Sequence, residues 1–423
     1  MPFAIILNIN ILIIMQETPK ALRLQIGLFG RTNVGKSSFL NCIANQNISI
    51  VSDIAGTTTD VVEKSMELLP FGPVTFLDTA GLDDNSVLAE ARINKTKKIF
   101  NRADIIVLIC EADKWGENEE YVRIQSENLK IPLIIIINKI DINPPSEAFL
   151  KKIRLFSSAL ITASFIDLEN AENLRNDFKK ALIENSPKDY FSSNLLGDLL
   201  PSGSLAVFVI PIDLEAPKGR LILPQVQAIR DVLDNDSAVV VVKEKEYAEM
   251  LSRLNQAPNL VVCDSQVIAR VVADTPENVK LTSFSILFSR LKGDLEEFIK
   301  GAIAIEKLQA GDKILVAEAC THHAIQDDIG RVKIPRWLLQ YTGVALNIET
   351  FAGHDYPDNL EDYKLVIHCG GCMINRKEMM SRLRQCKLAN VPITNYGICI
   401  SVLQGVLRRA LSPFPELYEL YMK

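Results

Sequence analysis

A three-domain α/β chain is predicted, and three observations predict it. At 423 residues the polypeptide is too long for one hydrophobic core, and its 48% hydrophobic and 23% charged residues are the proportions of a soluble globular protein. Apolar runs of buried-strand length alternate with helix-like stretches from residue 24 almost to the end. Two loops with chemistry stand at opposite ends of that alternation, Gly30-Arg-Thr-Asn-Val-Gly-Lys-Ser37 and His368-Cys-Gly-Gly-Cys372. The expected layout is a phosphate-loop domain with a parallel sheet over residues 21–184, an α/β scaffold or dimerisation domain over 195–280, and an α/β metal-cluster domain over 281–423.

Bulk properties narrow the partners. A net charge of −6 offers no general attraction to phosphate backbones, so nucleic acid is not an expected partner. Eight cysteines at irregular spacing, several inside apolar runs, do not read as a disulfide framework and point to a reducing, cytoplasmic setting. The first fifteen residues are apolar but carry no basic leader or cleavage site and are too short to cross a bilayer, so no membrane role is expected.

Taken in order, the first chemical element is the loop that follows the strand-like run from Leu24. Backbone N–H groups from Gly30 to Gly35, including those of Asn33 and Val34, can surround phosphates; Lys36 neutralises their charge, and the Ser37 hydroxyl, beside Ser38, can sit on Mg²⁺. Asp53-Ile-Ala-Gly-Thr57-Thr58-Thr-Asp60 offers a mobile threonine loop in which Thr58 reaches Mg²⁺ and the γ-phosphate. The strand-like Val74-Thr-Phe-Leu ends in Asp78-Thr-Ala-Gly81, a carboxylate for the metal shell and an N–H that can sense the γ-phosphate. Catalytic roles are therefore expected for Lys36, Thr58, Asp78 and Gly81. The run Ile131–Ile137 ends in Asn138-Lys139-Ile-Asp141, whose Asp carboxylate can accept two hydrogen bonds from guanine, a pair that adenine does not present, so the nucleotide is GTP. Thr162, Ala163 and Ser164 form the expected final loop on the base side, with Ser157-Ser-Ala159 as the second placement.

This order of motifs resembles the translation-factor-like GTPases of the Era and MnmE branch. Leu82 stands where Ras-like proteins carry the glutamine that orients water, so hydrolysis needs other assistance. Asn33, Ser52, Ile54 and Thr57 match the pattern by which MnmE-type enzymes hold K⁺, and a cation there can do what an arginine finger does, worth roughly 10³ to 10⁵ in rate.

The middle segment offers buried-strand runs at Ser204–Ile212, Ala238–Lys243 and Asn259–Asp264, with a helix between, and no constellation of acid, base or nucleophile. Cys263 reads as a buried small hydrophobe.

In the last segment the strand-like Asp312–Ala319 delivers Cys320-Thr-His322, and Lys364–Ile367 delivers His368-Cys369-Gly-Gly-Cys372. Cys320, His322, Cys369 and Cys372 suit tetrahedral zinc; three thiolates with an open fourth position equally suit a [4Fe–4S] cluster. Arg331, Lys333 and Arg336 form a basic stretch that an anionic precursor would favour.

Cys-x-His followed far downstream by His-Cys-x-x-Cys, on one chain with a GTPase domain, resembles the [FeFe]-hydrogenase maturation GTPases, the HydF family. Asp327–Trp337, Thr394–Gly397 and Pro211–Arg220 add to the resemblance. It implies a [4Fe–4S] cluster on Cys320, Cys369 and Cys372 with a labile fourth position, for which His322 and His368 are candidates. It further implies a scaffold that assembles or carries the two-iron subcluster to apo-[FeFe]-hydrogenase, radical-SAM maturation enzymes as partners, and a homodimer. The alternative is an Era-like ribosome-assembly GTPase with a structural zinc site.

Overall fold

The computed structural model describes residues 23–44, 61–68, 72–78, 89–167, 170–187, 195–212, 221–319, 328–353, 356–357 and 359–422. The first unit runs β1 (Leu24–Gly30), α1 (Lys36–Ile43), β2 (Val62–Leu68), β3 (Gly72–Asp78), α2 (Ala89–Arg102), β4 (Ile105–Glu111), α3 (Glu117–Asn128), β5 (Leu133–Asn138), α4 (Glu147–Arg154), β6 (Ala159–Thr162) and α5 (Ala171–Asn185). Its sheet has the order β2-β3-β1-β4-β5-β6 and is parallel except for the antiparallel edge pair β2–β3. The apolar runs IIVLIC and LIIII become β4 and β5, buried because helices cover both faces. Gln25 is the polar exception in β1. It is buried because its N–H donates to Asp104 (2.9 Å) and its Oε1 accepts from Arg102 (3.3 Å).

The second unit contains β7 (Leu205–Val209), α6 (Leu223–Asp234), β8 (Ala238–Val242), α7 (Tyr247–Arg253), β9 (Leu260–Cys263), α8 (Ile268–Asp274), β10 (Lys280–Ser283) and α9 (Phe284–Lys292). The third contains α10 (Leu295–Ala302), β11 (Lys313–Ala317), α11 (Ile334–Thr342), β12 (Asn347–Phe351), β13 (Leu365–His368), α12 (Arg376–Leu388), β14 (Ile393–Asn395), α13 (Tyr396–Leu403), α14 (Leu407–Ala410) and α15 (Pro415–Met422). Each holds a parallel four-stranded sheet, in the orders β10-β9-β7-β8 and β12-β11-β13-β14.

The boundary expected at 280/281 falls inside β10, whose pairing with β9 carries the second sheet through Ser283. The two later units also share one apolar core, continuous from Leu195 to Phe414, whereas the first keeps separate cores on the two faces of its sheet. Cys263 and Cys399 are fully buried in the shared core, as small hydrophobes. No helix among the described residues is long and apolar enough to cross a membrane.

Candidate functional site

In the first unit the carboxyl ends of β1, β3 and β5 bring the phosphate loop, Asp78 and Asn138 to one edge of the sheet, where open α/β folds bind ligands. Gly35 has φ +105°, and a Cβ there would lie 2.4 Å from Asn138 Nδ2, so only glycine fits. Asn33 also takes positive φ. Lys36 Nζ donates to the carbonyls of Gly30 (2.8 Å) and Arg31 (2.9 Å), curling the loop around its own ammonium. No side chain caps the N-terminus of α1, and Ser37 and Ser38 stand there at the surface, leaving N–H groups and hydroxyls open to phosphate.

Asn138 is buried and joins two loops. Its Nδ2 donates to Val34 O (2.8 Å), and its Oδ1 accepts from the N–H of Phe165 (3.2 Å). Lys139, at φ +62°, is paired with Glu111, and Asp141 is exposed beyond it. Thr162 ends β6, Ala163 is buried, and the buried Ser164 hydroxyl has no hydrogen-bond partner among the described residues, an open polar position on the base side. Ser52, Ile54, Thr57, Thr58, Gly81 and Leu82 lie outside the described residues. Sequence reasoning passed over Arg31, which forks onto Glu119 of α3 (2.7 and 2.6 Å) and anchors the phosphate loop to that helix; Glu119 is 1% exposed.

The cysteine loop follows β13 in the same manner. Cys369 Sγ accepts N–H bonds from Ala319 (3.1 Å) and Gly371 (3.5 Å). Gly371 takes φ +64°, and a Cβ there would meet Met379 Cε at 2.5 Å. Beneath the turn lies Lys292, the last residue of α9. Its ammonium donates to the carbonyls of Gly371 (2.9 Å), Cys372 (3.1 Å) and Ile374 (2.9 Å). Cys369 and Cys372 are free thiols, and burial pushes Cys369 up to about 11 and raises Cys372 as well.

His368 is fully buried, and both ring nitrogens are bonded. Nε2 accepts from Arg382 (2.9 Å), so Nδ1–H donates to the carbonyl of Cys369 (2.7 Å). Burial and the adjacent Arg382 cation push its pKa down to about 3. Cys320 and His322 lie outside the described residues, and among the described residues no group of three or more His, Cys, Asp or Glu is placed to hold a metal ion.

A cavity of about 210 Å³ opens beside the cysteine loop, lined by Asp264, Ser285, Glu318, Asp328, Cys369, Cys372 and Tyr396 among others. Its walls are the carboxyl ends of β9 and β10 from the second sheet and of β11, β13 and β14 from the third. The middle unit, in which the sequence showed no constellation, thus supplies half of it. Arg331 of the basic stretch is paired with Glu318 (2.9 Å), and Lys333 with the side chain of Gln266.

The donor set suits a thiolate-bound group. Two N–H bonds converge on one sulfur, a buried cation lies under the turn, and both favour ionised sulfur.

One further contact joins the two sites. α12, which starts four residues after Cys372, packs on α2. Asn375 Nδ2 donates to Arg102 O (2.8 Å), Ser381 Oγ to Asn101 Oδ1 (3.0 Å), and Lys377 Nζ to Leu129 O (3.4 Å). Arg102 bonds Glu63 of β2 (2.5 Å) and faces Glu378 (3.9 Å), and Glu378 bonds Arg382 (3.0 Å), the partner of His368.

Residues 195–293 match the model of the Hydrogen maturase F dimerization domain, and 296–413 that of the Hydrogen maturase F tetramerization domain; the two span half of the chain. Residues 25–139 match a 50S ribosome-binding GTPase model. The tRNA modification GTPase MnmE of Prochlorococcus marinus is 40% identical over 120 residues, 28% of this chain and 26% of that protein. GTPase Der of a Nitratiruptor species is 33% identical over 187 residues, 43% of this chain and 39% of that protein. The chain therefore spans well under half the length of these relatives. Among solved structures, a variant of Aquifex aeolicus Era bound to GDP.AlF4- is 20% identical, with a TM-score of 0.31 covering 55% of this chain and 98% of that one. Strand order and loop placement, not that likeness, identify the first unit as a P-loop GTPase domain.

Proposed function

The chain belongs to the hydrogen maturase F family, and on that premise we propose that it hydrolyses GTP and carries a [4Fe–4S] cluster as a scaffold for [FeFe]-hydrogenase maturation. Its cargo is the two-iron subcluster, delivered to apo-hydrogenase in concert with the radical-SAM maturation enzymes. The observation that carries this reading is the cysteine turn, whose sulfur receives two backbone N–H bonds above a buried lysine and beside a cavity.

Cys320, Cys369 and Cys372 hold the cluster, which when bound supplies an anchor with one exchangeable iron. With both its nitrogens engaged, His368 fixes the carbonyl of Cys369 and the fourth position falls to His322, to a cavity carboxylate or to the cargo.

In the GTPase domain Gly30 to Ser38 cradle the phosphates, and Lys36 exchanges its carbonyl partners for phosphate oxygens. Ser37, Thr58 and Asp78 hold Mg²⁺, Gly81 senses the γ-phosphate, and Asn138, Lys139, Asp141, Thr162 and Ala163 frame guanine. Asn33, Ser52, Ile54 and Thr57 hold K⁺, which replaces the missing glutamine. The nucleotide state reaches the cluster through α2, which follows the Asp78–Gly81 segment and carries Arg102 and Asn101 onto α12.

Dimerisation uses β8. Among the described residues it lies at an edge of the second sheet, its sequence AVVVV is half exposed, and such an edge is a template for pairing with a second copy. The third unit then joins dimers into tetramers.

The test is anaerobic purification with iron, sulfide and zinc analysis and EPR of the reduced protein, for wild type and Cys369→Ser. About four irons and four sulfides per chain, lost in the variant, are expected. Stoichiometric zinc that persists through anaerobic iron–sulfur reconstitution would overturn the assignment and favour the ribosome-type reading.

A further inference from the structure

Lys292 is an uncommon lysine. It is 2% exposed, and its ammonium is held by three carbonyls, with no carboxylate paired to it among the described residues. Burying an ammonium without an anion is costly, and carbonyl dipoles offset only part of that cost. The three carbonyls that hold it belong to the turn that carries Cys369 and Cys372.

The hydrogen bonds also explain the shape of the turn. The carbonyl of Gly371 faces Lys292 (2.9 Å) while its N–H faces Cys369 Sγ (3.5 Å), so drawing the carbonyl down turns the amide toward sulfur. The junction is reciprocal, because Arg376, just past the turn, donates to the carbonyls of Leu291 (2.7 Å) and Gly293 (3.1 Å) at the end of α9. Lys292 therefore carries charge to the thiols, and Arg376 pins the helix that brings it.

We propose that Lys292, contributed by the middle unit, is a positioning residue for the cluster: it holds the Cys369–Cys372 turn in ligating shape and supplies the fixed positive charge that favours the reduced, more negative cluster. The proposal rests on the iron–sulfur reading above. A lysine that only filled space would need neither three carbonyls nor its charge, and methionine could replace it without electrical consequence.

The experiment uses anaerobically reconstituted full-length protein as wild type, Lys292→Met, Lys292→Arg and Arg376→Met. The readouts are cluster midpoint potential by EPR-monitored titration, the rate of iron loss to a chelator, and GTP hydrolysis. Lys292→Met is expected to move the potential negative and to release iron about 10- to 100-fold faster, the usual cost of losing a partner behind a ligand. GTP hydrolysis stays at the wild-type rate, Lys292→Arg recovers most of the potential, and Arg376→Met, which loosens the helix end but leaves the Lys292 charge, shifts it less and in the same direction. If Lys292→Met fails to fold, Lys292→Gln carries the same readouts. Wild-type potential and iron retention in the uncharged variants would overturn the proposal, as would an equal shift in Arg376→Met, which would reduce Lys292 to packing. A wild-type protein that binds no iron would instead overturn the iron–sulfur reading itself.

Discussion

The phosphate loop and the cysteine turn are built alike and differ in one respect. Each follows a buried parallel strand, each needs a glycine at positive φ, and each is gathered by a lysine whose ammonium holds backbone carbonyls. Lys36 belongs to its own loop and is partly exposed, so arriving phosphate can replace the carbonyls it holds. Lys292 comes from another unit and is sealed in. The first arrangement suits a ligand that comes and goes with each turnover. The second suits one that must stay bound and charged. Exchangeability is decided by where the lysine comes from and how deeply it lies, not by the kind of bond it makes.

The comparison breaks first at Lys36. Lys36→Ala removes the donor that meets transition-state charge, and kcat/KM for GTP should fall by about 10²- to 10³-fold, while iron and sulfide content, measured on the same preparation, stays at wild-type level. Asp141→Asn comes next. Losing charge-assisted hydrogen bonds to guanine, about 1.5–3 kcal/mol, should weaken GTP binding about 10- to 100-fold in a fluorescent-nucleotide titration. Xanthine nucleotide should bind better than to wild type, because the new amide can donate to the carbonyl that replaces the exocyclic amine. Glu378→Gln sharpens the contrast by cutting between the two sites, costing about 1–3 kcal/mol of stability in denaturant unfolding. GTP analogue and GDP are expected to give different EPR spectra in the wild type and the same spectrum in this variant. Asn375→Ala is the mildest, since it removes a helix cap and one bond to Arg102, about 1 kcal/mol, with nucleotide affinity unchanged.

The nucleotide half of this molecule was legible in the sequence because its chemistry is local. Each loop directly follows the strand that positions it, so Lys36, Asp78, Asn138 and Asp141 could be named from order and spacing. Arg31 escaped because its partner, Glu119, is 88 residues away and looks like any helix-surface acid until the fold buries it. In the cysteine half the loop itself was legible, and its surroundings were not. Lys292 ends an ordinary amphipathic helix, and nothing in the stretch LFSRLK marks a cation that turns inward. Arg382 and Glu378 likewise sit one turn apart on a helix, as surface ion pairs do, yet both are buried around His368. The middle unit showed no reactive constellation because its contribution is an edge, the carboxyl ends of β9 and β10, and not a motif. Its boundary was drawn early because β10 is only four residues long and KLTS holds a single apolar residue, too few for a period of two to mark it as a strand.

The apolar core that runs unbroken from Leu195 to Phe414 bears on what can be taken from this protein as a working part. The GTPase domain, with cores of its own, is a transplantable cassette. The cysteine domain is not, because a fragment beginning at residue 296 would leave behind Lys292, the strand ends that close the cavity, and the apolar partners of α10 and α13. Any lineage or designer moving the cysteine turn and its cavity to a new host has to move both later units together, so their two family boundaries mark a seam in sequence that the folded molecule does not have.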